Sequence, residues 1–314
     1  MNDSSSGLSR DVMSEGASPR RLHMIFNPTA GGSRGRRYAK VVERLRDGGC
    51  AIHEQPTTKR GDAESFAATL RPDSYDTLVA AGGDGTINEV VNGLMANPDP
   101  LARALPLAVL PLGTANVLAA EIGLSVRPAE IASAILSGRP QPISVGVANG
   151  RHFMLMAGVG FDAHVVSQVD SRMKKRIGKG AYVLQTLRQL RKFGFPSYRV
   201  TVDGETFEVA SAIVANAHFY GGRFVAAPRA RLDAPTLEVC LFGRSGRLNA
   251  MRYAAALSLN LLSRLGDYRV VTGSTIEIRG PLEDPLQGDG DIIASLPAEI
   301  AVRPGALNML MPKG

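Results

Sequence analysis

The sequence Thr-Leu-Val-Ala-Ala-Gly-Gly-Asp-Gly-Thr-Ile-Asn-Glu-Val-Val-Asn-Gly-Leu spans residues 77–94. Its first five residues form a short, mostly apolar run of strand length, whereas Ile87, Val90, Val91 and Leu94 recur at helical spacing. The stretch therefore predicts a strand, a glycine turn and a helix. Thr86 and Glu89 have the spacing of a capping box, which places the start of the helix at residues 84–86.

The glycine turn is suited to binding an anion. Gly82, Gly83 and Gly85 let the backbone approach a bulky group, and the free N–H groups and dipole of a helix start favour phosphate. A tight turn that only needs positive φ angles is the alternative. Asp84 adds negative charge where phosphates are expected. That placement is sensible if a divalent cation lies between them, or if Asp84 holds the loop and the attacking group in place. We therefore expect nucleotide binding.

Composition sets the outer bounds. The chain has 314 residues and 44% hydrophobic content, enough for two soluble domains with real cores. Cys50 and Cys240 are far apart and lack metal-ligand spacing, which argues against a disulfide framework and a cysteine zinc site and favours a reducing cytosol. Residues 1–20 are rich in serine, glycine and charge, and we expect a disordered tail there rather than a signal peptide.

Charge and hydropathy limit the partners. The apolar stretch 105–124 is interrupted by Pro106, Pro111, Asn116 and Glu121, so no membrane span is expected and membrane contact must be peripheral. The formal net charge of +7 predicts attraction to polyanions such as nucleic acid, anionic lipid or nucleotide.

The first part of the chain alternates strands and helices. Strands are predicted at 22–26, 51–54, 77–81 and 107–110, and each is followed by a loop containing Gly, Thr or Asn and then by a helical stretch. The helix after the second strand is expected to start at Asp62. In an open parallel sheet such loops gather at the carboxyl edge, where ligands bind. We assign residues 21–140 to an α/β domain.

The second part, residues 141–314, has a different pattern. Asn149-Gly150 and Asp203-Gly204 lie between β-like runs and predict two hairpins in a mainly antiparallel domain. Helical insertions are expected at about 163–192 and 247–265. The first contains a dense basic face within residues 172–192, formed by Arg172, Lys174, Lys175, Arg176, Lys179, Arg188, Arg191 and Lys192. This face is either solvated or in contact with anionic lipid headgroups. It lacks the interleaved aromatic residues of a single-stranded nucleic-acid platform, so no nucleic-acid partner is expected.

Several motifs together resemble the diacylglycerol kinase catalytic family, which includes bacterial lipid kinases and relatives of sphingosine kinase. The resemblance begins near Leu22 and covers most of the chain. Its glycine-aspartate motif with the Asn-Gly-Leu tail is the most specific part. The matching segments are 27–31, 82–94, 111–116, 157–163, 220–222, 227–228 and 289–290.

The resemblance implies a two-domain fold, in which an α/β nucleotide-binding domain like that of NAD kinases faces a β-sandwich whose last strands return toward the first domain. It also implies ATP and Mg²⁺ as cofactors and a lipid substrate at the membrane surface. The implied nucleotide contacts are Asn27, Pro28, Thr29, Ala30, Gly31, Thr57, Gly82, Gly83, Asp84, Gly85, Thr86, Ile87, Asn88, Glu89 and Thr114.

Two positions depart from the family pattern. The family's general base is the acid that ends an Asp-Gly-Glu triplet, and here the triplet is Asp289-Gly290-Asp291. Asp291 is therefore implied as the base that accepts the proton of the lipid hydroxyl, although it is one methylene shorter than Glu. Some bacterial members hold a structural magnesium at an Asp-Gly loop. The corresponding Asp233-Ala234 keeps the carboxylate as a candidate metal ligand but lacks the glycine.

Three functions are compatible with these residues, and the first is the one that we predict. It is a cytoplasmic, peripherally membrane-associated lipid kinase with Asp84 and Asp291 as its catalytic residues. The second is an NAD kinase, which shares the Gly-Gly-Asp-Gly core but fits the Asn-Pro-Thr-Ala-Gly loop and the Asn-Gly-Leu tail less well. The third is a nucleotide- or lipid-binding protein of the same fold with weakened catalysis, suggested by Asp291 and Ala234. The oligomeric state is open too, a homodimer included.

Overall fold

The computed structural model of the protein describes residues 20–28, 33–168, 190 and 193–313. The expected tail before residue 20, the predicted nucleotide contacts Thr29, Ala30 and Gly31, and the basic face within 172–192 lie outside the described residues.

The described residues form eighteen strands and eight α-helices, with two short 3-10 helices at Pro72–Ser74 and Leu262–Arg264. The helices are α1 Ser33–Asp47, α2 Asp62–Ala68, α3 Asp84–Ala96, α4 Pro100–Ala104, α5 Val117–Glu121, α6 Pro128–Ser137, α7 Phe161–Gln168 and α8 Arg247–Ser258. The strands are β1 Arg21–Phe26, β2 Ala51–Pro56, β3 Thr77–Gly82, β4 Leu107–Pro111, β5 Arg139–Ala148, β6 Arg151–Phe153, β7 Met156–Val159, β8 Tyr198–Val202, β9 Glu205–Val209, β10 Ser211–Ala215, β11 Phe219–Tyr220, β12 Phe224–Val225, β13 Leu237–Phe242, β14 Tyr268–Gly273, β15 Thr275–Arg279, β16 Pro285–Gly288, β17 Asp291–Ser295 and β18 Ala298–Met311.

The first four strands form the predicted parallel sheet, in the order β2-β1-β3-β4. All four carboxyl ends therefore lie at one edge, and the loops that follow them meet there. Alternate residues of β3 face opposite sides of the sheet. Leu78 and Ala80 pack with α2 and α3, whereas Val79 and Ala81 pack with α1 and α6. Because both faces are covered by helices, β3 is buried along its whole length.

The last long strand joins the two halves of the chain. β18 pairs in parallel with β4 at Met309 and Leu107, and in antiparallel fashion with β5 and β15. The sheet thereby continues from the α/β domain through β18 and β15 to β8 and β9. The boundary expected at residues 140 and 141 falls within the first residues of β5, the main partner of β18.

The second domain is an antiparallel β-sandwich. A six-stranded sheet, β14-β13-β10-β7-β16-β17, packs against the far half of the long sheet. The core between them takes side chains from both sheets, including Val200 and Ile276 from one and Val214 and Val239 from the other. The hairpins predicted at Asn149-Gly150 and Asp203-Gly204 are present as β5-β6 and β8-β9, with positive φ angles at all four turn residues.

The predicted capping box is wrong. Helix α3 begins at Asp84 as expected, but its N-cap is Gly83 and no side chain caps it. Thr86 therefore already lies in the first turn. The Glu89 carboxylate instead accepts hydrogen bonds from the backbone N–H groups of Gly61 and Ala63 at the start of α2. Burial raises the pKa of Glu89. Glu89 therefore bonds α3 to the start of α2 and does not cap its own helix.

Candidate active site

The glycine turn after β3 packs directly against the loop after β4. Leu112 donates its backbone N–H to the Gly82 carbonyl at 2.7 Å. A Cβ atom on Gly83 would lie 3.1 Å from the Cα atom of Gly113, and a Cβ atom on Gly113 would lie 2.7 Å from the Cα atom of Gly83. Side chains at these positions would push the loops apart, so the glycines are needed for this contact.

Asp84 is held at the junction of two helices. It is the first residue of α3, and its Oδ1 accepts the backbone N–H of Leu118, near the start of α5, at 3.2 Å. Helix α1 is hydrogen-bonded to the end of β4 and the loop that follows it. Arg34 donates to the Thr114 hydroxyl at 2.7 Å, and Arg37 donates to the Pro111 carbonyl at 2.8 Å. Two guanidinium groups thus lie beside the loop predicted to contact a nucleotide.

The remaining predicted nucleotide residues approach the same edge. Asn27 donates its backbone N–H to Ala81 at 3.0 Å, and Thr57 donates its backbone N–H to Phe26 at 2.8 Å. Pro28 follows Asn27 in an exposed turn, and Gly85 is exposed in the first turn of α3. The structure therefore brings the described members of the set together, except for two side chains. Ile87 is buried in the hydrophobic core, and Glu89 is engaged with α2.

The Asn-Gly-Leu tail of the motif fastens α3 to its neighbours. The amide group of Asn92 donates to the His152 carbonyl at 3.0 Å, and its Oδ1 accepts the His152 N–H at 2.9 Å. A Cβ atom on Gly93 would lie 2.1 Å from the Glu64 carbonyl oxygen of α2. Leu94 is fully buried. One face of α3 thus binds the sandwich domain through Asn92 while Gly93 allows α2 to approach closely.

Asn88 extends this contact to the Asp-Gly-Asp turn. Its amide nitrogen donates to Asp289 Oδ2 at 2.9 Å and to the His152 carbonyl at 3.1 Å. Asp289 also accepts three backbone N–H groups, from Met154 at 2.7 Å, Leu155 at 2.9 Å and Met156 at 3.0 Å. Burial raises the pKa of Asp289, and these four donors, which bind its charged form, only partly oppose that rise. Because every partner is a donor, the geometry matches an ionised carboxylate.

The turn itself is a tight hairpin between β16 and β17. Asp289 and Gly290 both have positive φ angles, 51° and 87°, the combination that Asp-Gly supplies in a two-residue turn. Gly290 donates its N–H to the Gln287 side-chain carbonyl at 3.0 Å. The turn fixes the next residue, Asp291, at the start of β17.

Asp291 faces the glycine turn across the two domains. A Cβ atom on Gly85 would lie 3.7 Å from Asp291 Oδ2, and the Arg60 guanidinium lies 3.4 Å from the same oxygen. The Asp291 side chain is 39% exposed, in contrast to the buried Asp289 two residues before it. The predicted base therefore lies where a phosphate bound at the glycine turn would be reached from the sandwich side.

A cavity with both polar and apolar lining residues lies beside Asp84 and the Asp289-Gly290 turn. It has a volume of about 230 Å³ and is lined by Asp84, Ala115, Val117, Leu155, Met156, Asp162, Val166, Tyr220, Gly221, Gln287, Asp289 and Gly290. Its walls come from both domains, so it is a cleft between them. Asp162 and Tyr220 also line a second cavity of about 310 Å³.

The second cavity is apolar. Besides Asp162 and Tyr220 it is lined by Val159, Phe161, Val165, Ser211, Ile213, Phe242, Ala250, Tyr253, Ala254 and Leu257. It lies between α7, α8 and the six-stranded sheet. A hydrocarbon chain placed there would have its polar end near the cleft, because the two cavities share one wall.

The carboxylate of Asp233, the candidate metal ligand, is bound by an arginine side chain. Arg231 binds both of its carboxylate oxygens, at 2.9 and 2.7 Å, and this pairing lowers the pKa of Asp233. A cation at this loop would have to displace the guanidinium group. Metal binding at Asp233 stays a prediction.

The sequence predicted a cation between Asp84 and the phosphates of a bound nucleotide. In the described part of the chain, no three His, Cys, Asp or Glu side chains are grouped closely enough to hold a metal ion. Mg²⁺ in phosphotransfer sites is usually bound by one or two carboxylates plus substrate phosphates. Asp84 is the carboxylate that fits this role, because it lies at the helix start where the phosphates are expected.

Among the site residues that were not predicted, Asp289, Asp162 and Arg60 are the most informative. Asp289 belonged to the triplet motif, but nothing in the sequence distinguished its structural role from that of Asp291. Asp162 lay within the matched segment 157–163 without an assigned role. Arg60 had one usable signal, since a basic residue in the loop after β2 must lie at the carboxyl edge of the sheet.

Comparisons with known proteins agree with this architecture. Residues 21–148 match the family described as "Diacylglycerol kinase catalytic domain", and residues 156–311 match the "YegS C-terminal NAD kinase beta sandwich-like domain". The chain is 27% identical over 300 residues to the diacylglycerol kinase of Bacillus subtilis, covering 94% of this chain and 97% of the relative. It is 28% identical over 281 residues to the "Probable lipid kinase YegS" of Salmonella typhimurium, covering 87% and 90%.

Solved structures show the same fold. A crystal structure described as a diacylglycerol kinase from Bacillus anthracis superimposes with a TM-score of 0.74 at 26% identity, covering 93% of this chain and 96% of the other. Yeast NADH kinase superimposes with a TM-score of 0.52 at 14% identity, covering 94% and 84% of the two chains, a likeness of fold alone. None of the helices in the described ranges has the length and apolar character of a membrane-spanning segment.

Proposed function

Because the chain belongs to the diacylglycerol kinase catalytic family, we propose that it transfers the γ-phosphoryl group of ATP to a hydroxyl group of a lipid such as diacylglycerol. The relatives' names support a lipid kinase in general. The nucleotide and the class of acceptor are our proposal, as are Mg²⁺ and a cytoplasmic enzyme that works at the membrane surface.

The observation on which this proposal rests is the position of Asp291. Its carboxylate comes from the sandwich domain and lies beside Gly85 of the glycine turn and beside Arg60. A base there can reach a hydroxyl group that enters from the sandwich side while the phosphates bind at the start of α3. The adjoining apolar cavity offers a place for the hydrocarbon part of the same acceptor.

In the proposed reaction the acceptor hydroxyl oxygen attacks the γ-phosphorus of ATP. The bond from that oxygen to phosphorus forms, the bond from phosphorus to the β-γ bridging oxygen breaks, and ADP leaves. The hydroxyl proton goes to the Asp291 carboxylate. Backbone N–H groups of the glycine turn bind the phosphates and Arg60 adds positive charge. Asp84 would hold a magnesium ion bound with the nucleotide, and that ion would neutralise part of the phosphate charge.

An NAD kinase-like reaction is the closest alternative. The likeness to yeast NADH kinase concerns the fold only. The apolar cavity favours a lipid, because its wall contains Phe161, Val165 and Ile213 and it shares Asp162 and Tyr220 with the cleft. A dinucleotide would need polar partners for its second ribose and phosphate in that direction.

A binding protein with weakened catalysis is the other alternative. Asp291→Glu restores the residue expected for the family and distinguishes an active lipid kinase from a binding protein with weakened catalysis. If Asp291 is a competent base, the variant gives no large gain in the rate of phosphate transfer and lowers it by up to about a hundredfold, because the carboxylate is displaced by one methylene. A large gain would mean that the native residue is a weakened base.

The proposal is tested by measuring phosphate transfer from labelled ATP with magnesium to a panel of neutral lipids in mixed micelles. NAD serves as the soluble control acceptor, and Asp84→Ala is compared with the wild type. We expect a labelled lipid product that disappears in the variant. Labelled NAD would favour the NAD kinase reading. ATP binding without any labelled product would favour the binding protein.

A further inference from the structure

Helix α8 is apolar on two opposite sides. Ala250, Tyr253 and Leu257 on its inner side line the apolar cavity. On its outer side Leu248 is 83% exposed and Met251 is 50% exposed, and Leu259, just after the helix, is 67% exposed. Positions 248, 251 and 259 have the spacing of residues on one helical face. The helix thus separates a buried apolar cavity from an exposed apolar surface.

The exposed side is also strongly basic. Residues 243–268 contain Arg244, Arg247, Arg252 and Arg264 but only one acidic residue, Asp267. Asp267 is largely buried and is paired with Arg244 and Arg252, so the outward charge of the segment is positive. Arg244 and Arg264 are exposed.

The β11-β12 hairpin adds an aromatic ring beside the end of α8. Phe224 is 41% exposed, and its neighbour Val225 donates its N–H to the Asn260 side chain at 3.2 Å. The same hairpin contributes Tyr220 to the wall between the two cavities. We call the surface of Leu248, Met251, Leu259 and Phe224 the α8 face.

We propose that the α8 face docks the protein on an anionic lipid bilayer. The exposed leucines, methionine and phenylalanine enter the interface, and the surrounding arginines contact anionic headgroups. Docking in this way places α8, which forms one wall of the apolar cavity, at the membrane surface. The choice of a lipid surface rests on the proposed function, since a lipid acceptor has to leave the bilayer to reach the cleft.

The charge pattern favours a membrane over a second copy of the chain. In a symmetric dimer formed through this face, the same basic residues would meet across the axis and repel each other. An anionic bilayer instead complements both the positive charge and the apolar residues. This complementarity identifies the occupant.

Binding to vesicles tests the docking without any enzymatic readout. Wild type is compared with the double variant Leu248→Glu and Met251→Glu by cosedimentation with phosphatidylcholine vesicles, with and without phosphatidylglycerol. The matched control is the double variant Leu101→Glu and Leu282→Glu. It adds the same charge at leucines that are 65% and 80% exposed elsewhere on the protein.

We expect wild type and the control to bind vesicles that contain phosphatidylglycerol, more weakly as salt is added, and the α8 variant to lose affinity by at least about tenfold. Equal binding of the α8 variant and the wild type would overturn the proposal. So would a wild-type dimer in solution that the α8 variant abolishes, because a second copy would then cover the face.

Activity separates the docking from the proposed function. With a short-chain diacylglycerol dissolved as monomers, the α8 variant should match the wild type, whereas with vesicle-embedded substrate it should fall with its binding. If wild type phosphorylates no lipid but its vesicle binding still depends on the α8 face, the proposed function fails and the docking stands.

Discussion

Asp289 and Asp291 occupy the same turn and have opposite surroundings. Asp289 is buried and accepts hydrogen bonds from Asn88 and three consecutive backbone N–H groups. Asp291 is partly exposed and has Arg60 at 3.4 Å. The first carboxylate joins the two domains, and the second lies beside Gly85 of the glycine turn. Two similar side chains, two residues apart, therefore differ in burial and in their distance from the glycine turn.

This difference assigns roles within the site. A carboxylate whose oxygens are fully bonded cannot accept a substrate proton without losing those bonds. A partly exposed carboxylate beside the glycine turn is accessible to a substrate proton. We infer that Asp289 positions the turn and that Asp291 performs the chemistry. We call Asp289 and the residues around it the buried side of the turn, and Asp291 with Arg60 the exposed side.

Removal of Asp289 should have the largest effect on stability. Asp289→Ala leaves four donors without their acceptor, so the free energy of unfolding should fall by about 4 kcal/mol. Urea unfolding measures this change. Asp289→Asn keeps one acceptor oxygen and should cost less. An Ala variant as stable as the wild type would show that the buried side does not hold the domains together.

The sequence predicted the parallel sheet, and the edge at which its loops meet, because a glycine-containing loop follows each apolar run. It did not predict which aspartate of the Asp289-Gly290-Asp291 turn is buried and which lies beside the glycine turn. Asn88, Asn92 and Asp289 meet His152 and residues 154–156, which are distant in the chain, and only the return of β18 to β4 brings the two domains into this register. Glu89 shows the same limit, since its partner helix could not be identified from local spacing.

A methyl group at Gly93 tests the packing behind the turn. Gly93→Ala would place a Cβ atom 2.1 Å from the Glu64 carbonyl oxygen, so α2 and α3 would have to separate. We expect a loss of about 2 kcal/mol in the free energy of unfolding. Gly266→Ala, where no atom lies within 4 Å of the added Cβ, is the control. Equal effects of the two changes would contradict close packing at Gly93.

The buried side should also respond to acid through His152. Burial lowers the pKa of its imidazole to about 4, with help from the positive charges of Arg303 and Arg151. As pH falls from about 6.5 to about 4, the unfolded chain gains a proton there that the folded protein does not bind, so stability is lost. Because the ring is partly exposed, its protonation should account for a loss of only about 2 kcal/mol in the free energy of unfolding.

This contribution is isolated by comparing wild type with His152→Gln in urea unfolding at about pH 7 and about pH 5. The wild type should lose more stability than the variant between the two conditions. Parallel losses in the two proteins would remove His152 as the cause.

Arg60, on the exposed side, should have a smaller effect than Asp291, and on rate only. Arg60→Ala removes the positive charge beside Asp291, and we expect kcat to fall by about tenfold with an unchanged melting temperature. Lys59→Ala removes an exposed charge one residue earlier and should leave kcat unaltered. If both variants lose activity equally, general charge and not the position of Arg60 is responsible.

The most direct test of the account measures phosphate transfer and thermal unfolding side by side for Asp291→Ala and Asp289→Ala. The account predicts that Asp291→Ala lowers kcat by about a thousandfold with the wild-type melting temperature, as loss of a general base does. Asp289→Ala should lower the melting temperature and lose activity with the fold. An Asp291→Ala variant that keeps full activity, or loses it only by unfolding, would contradict the central assignment.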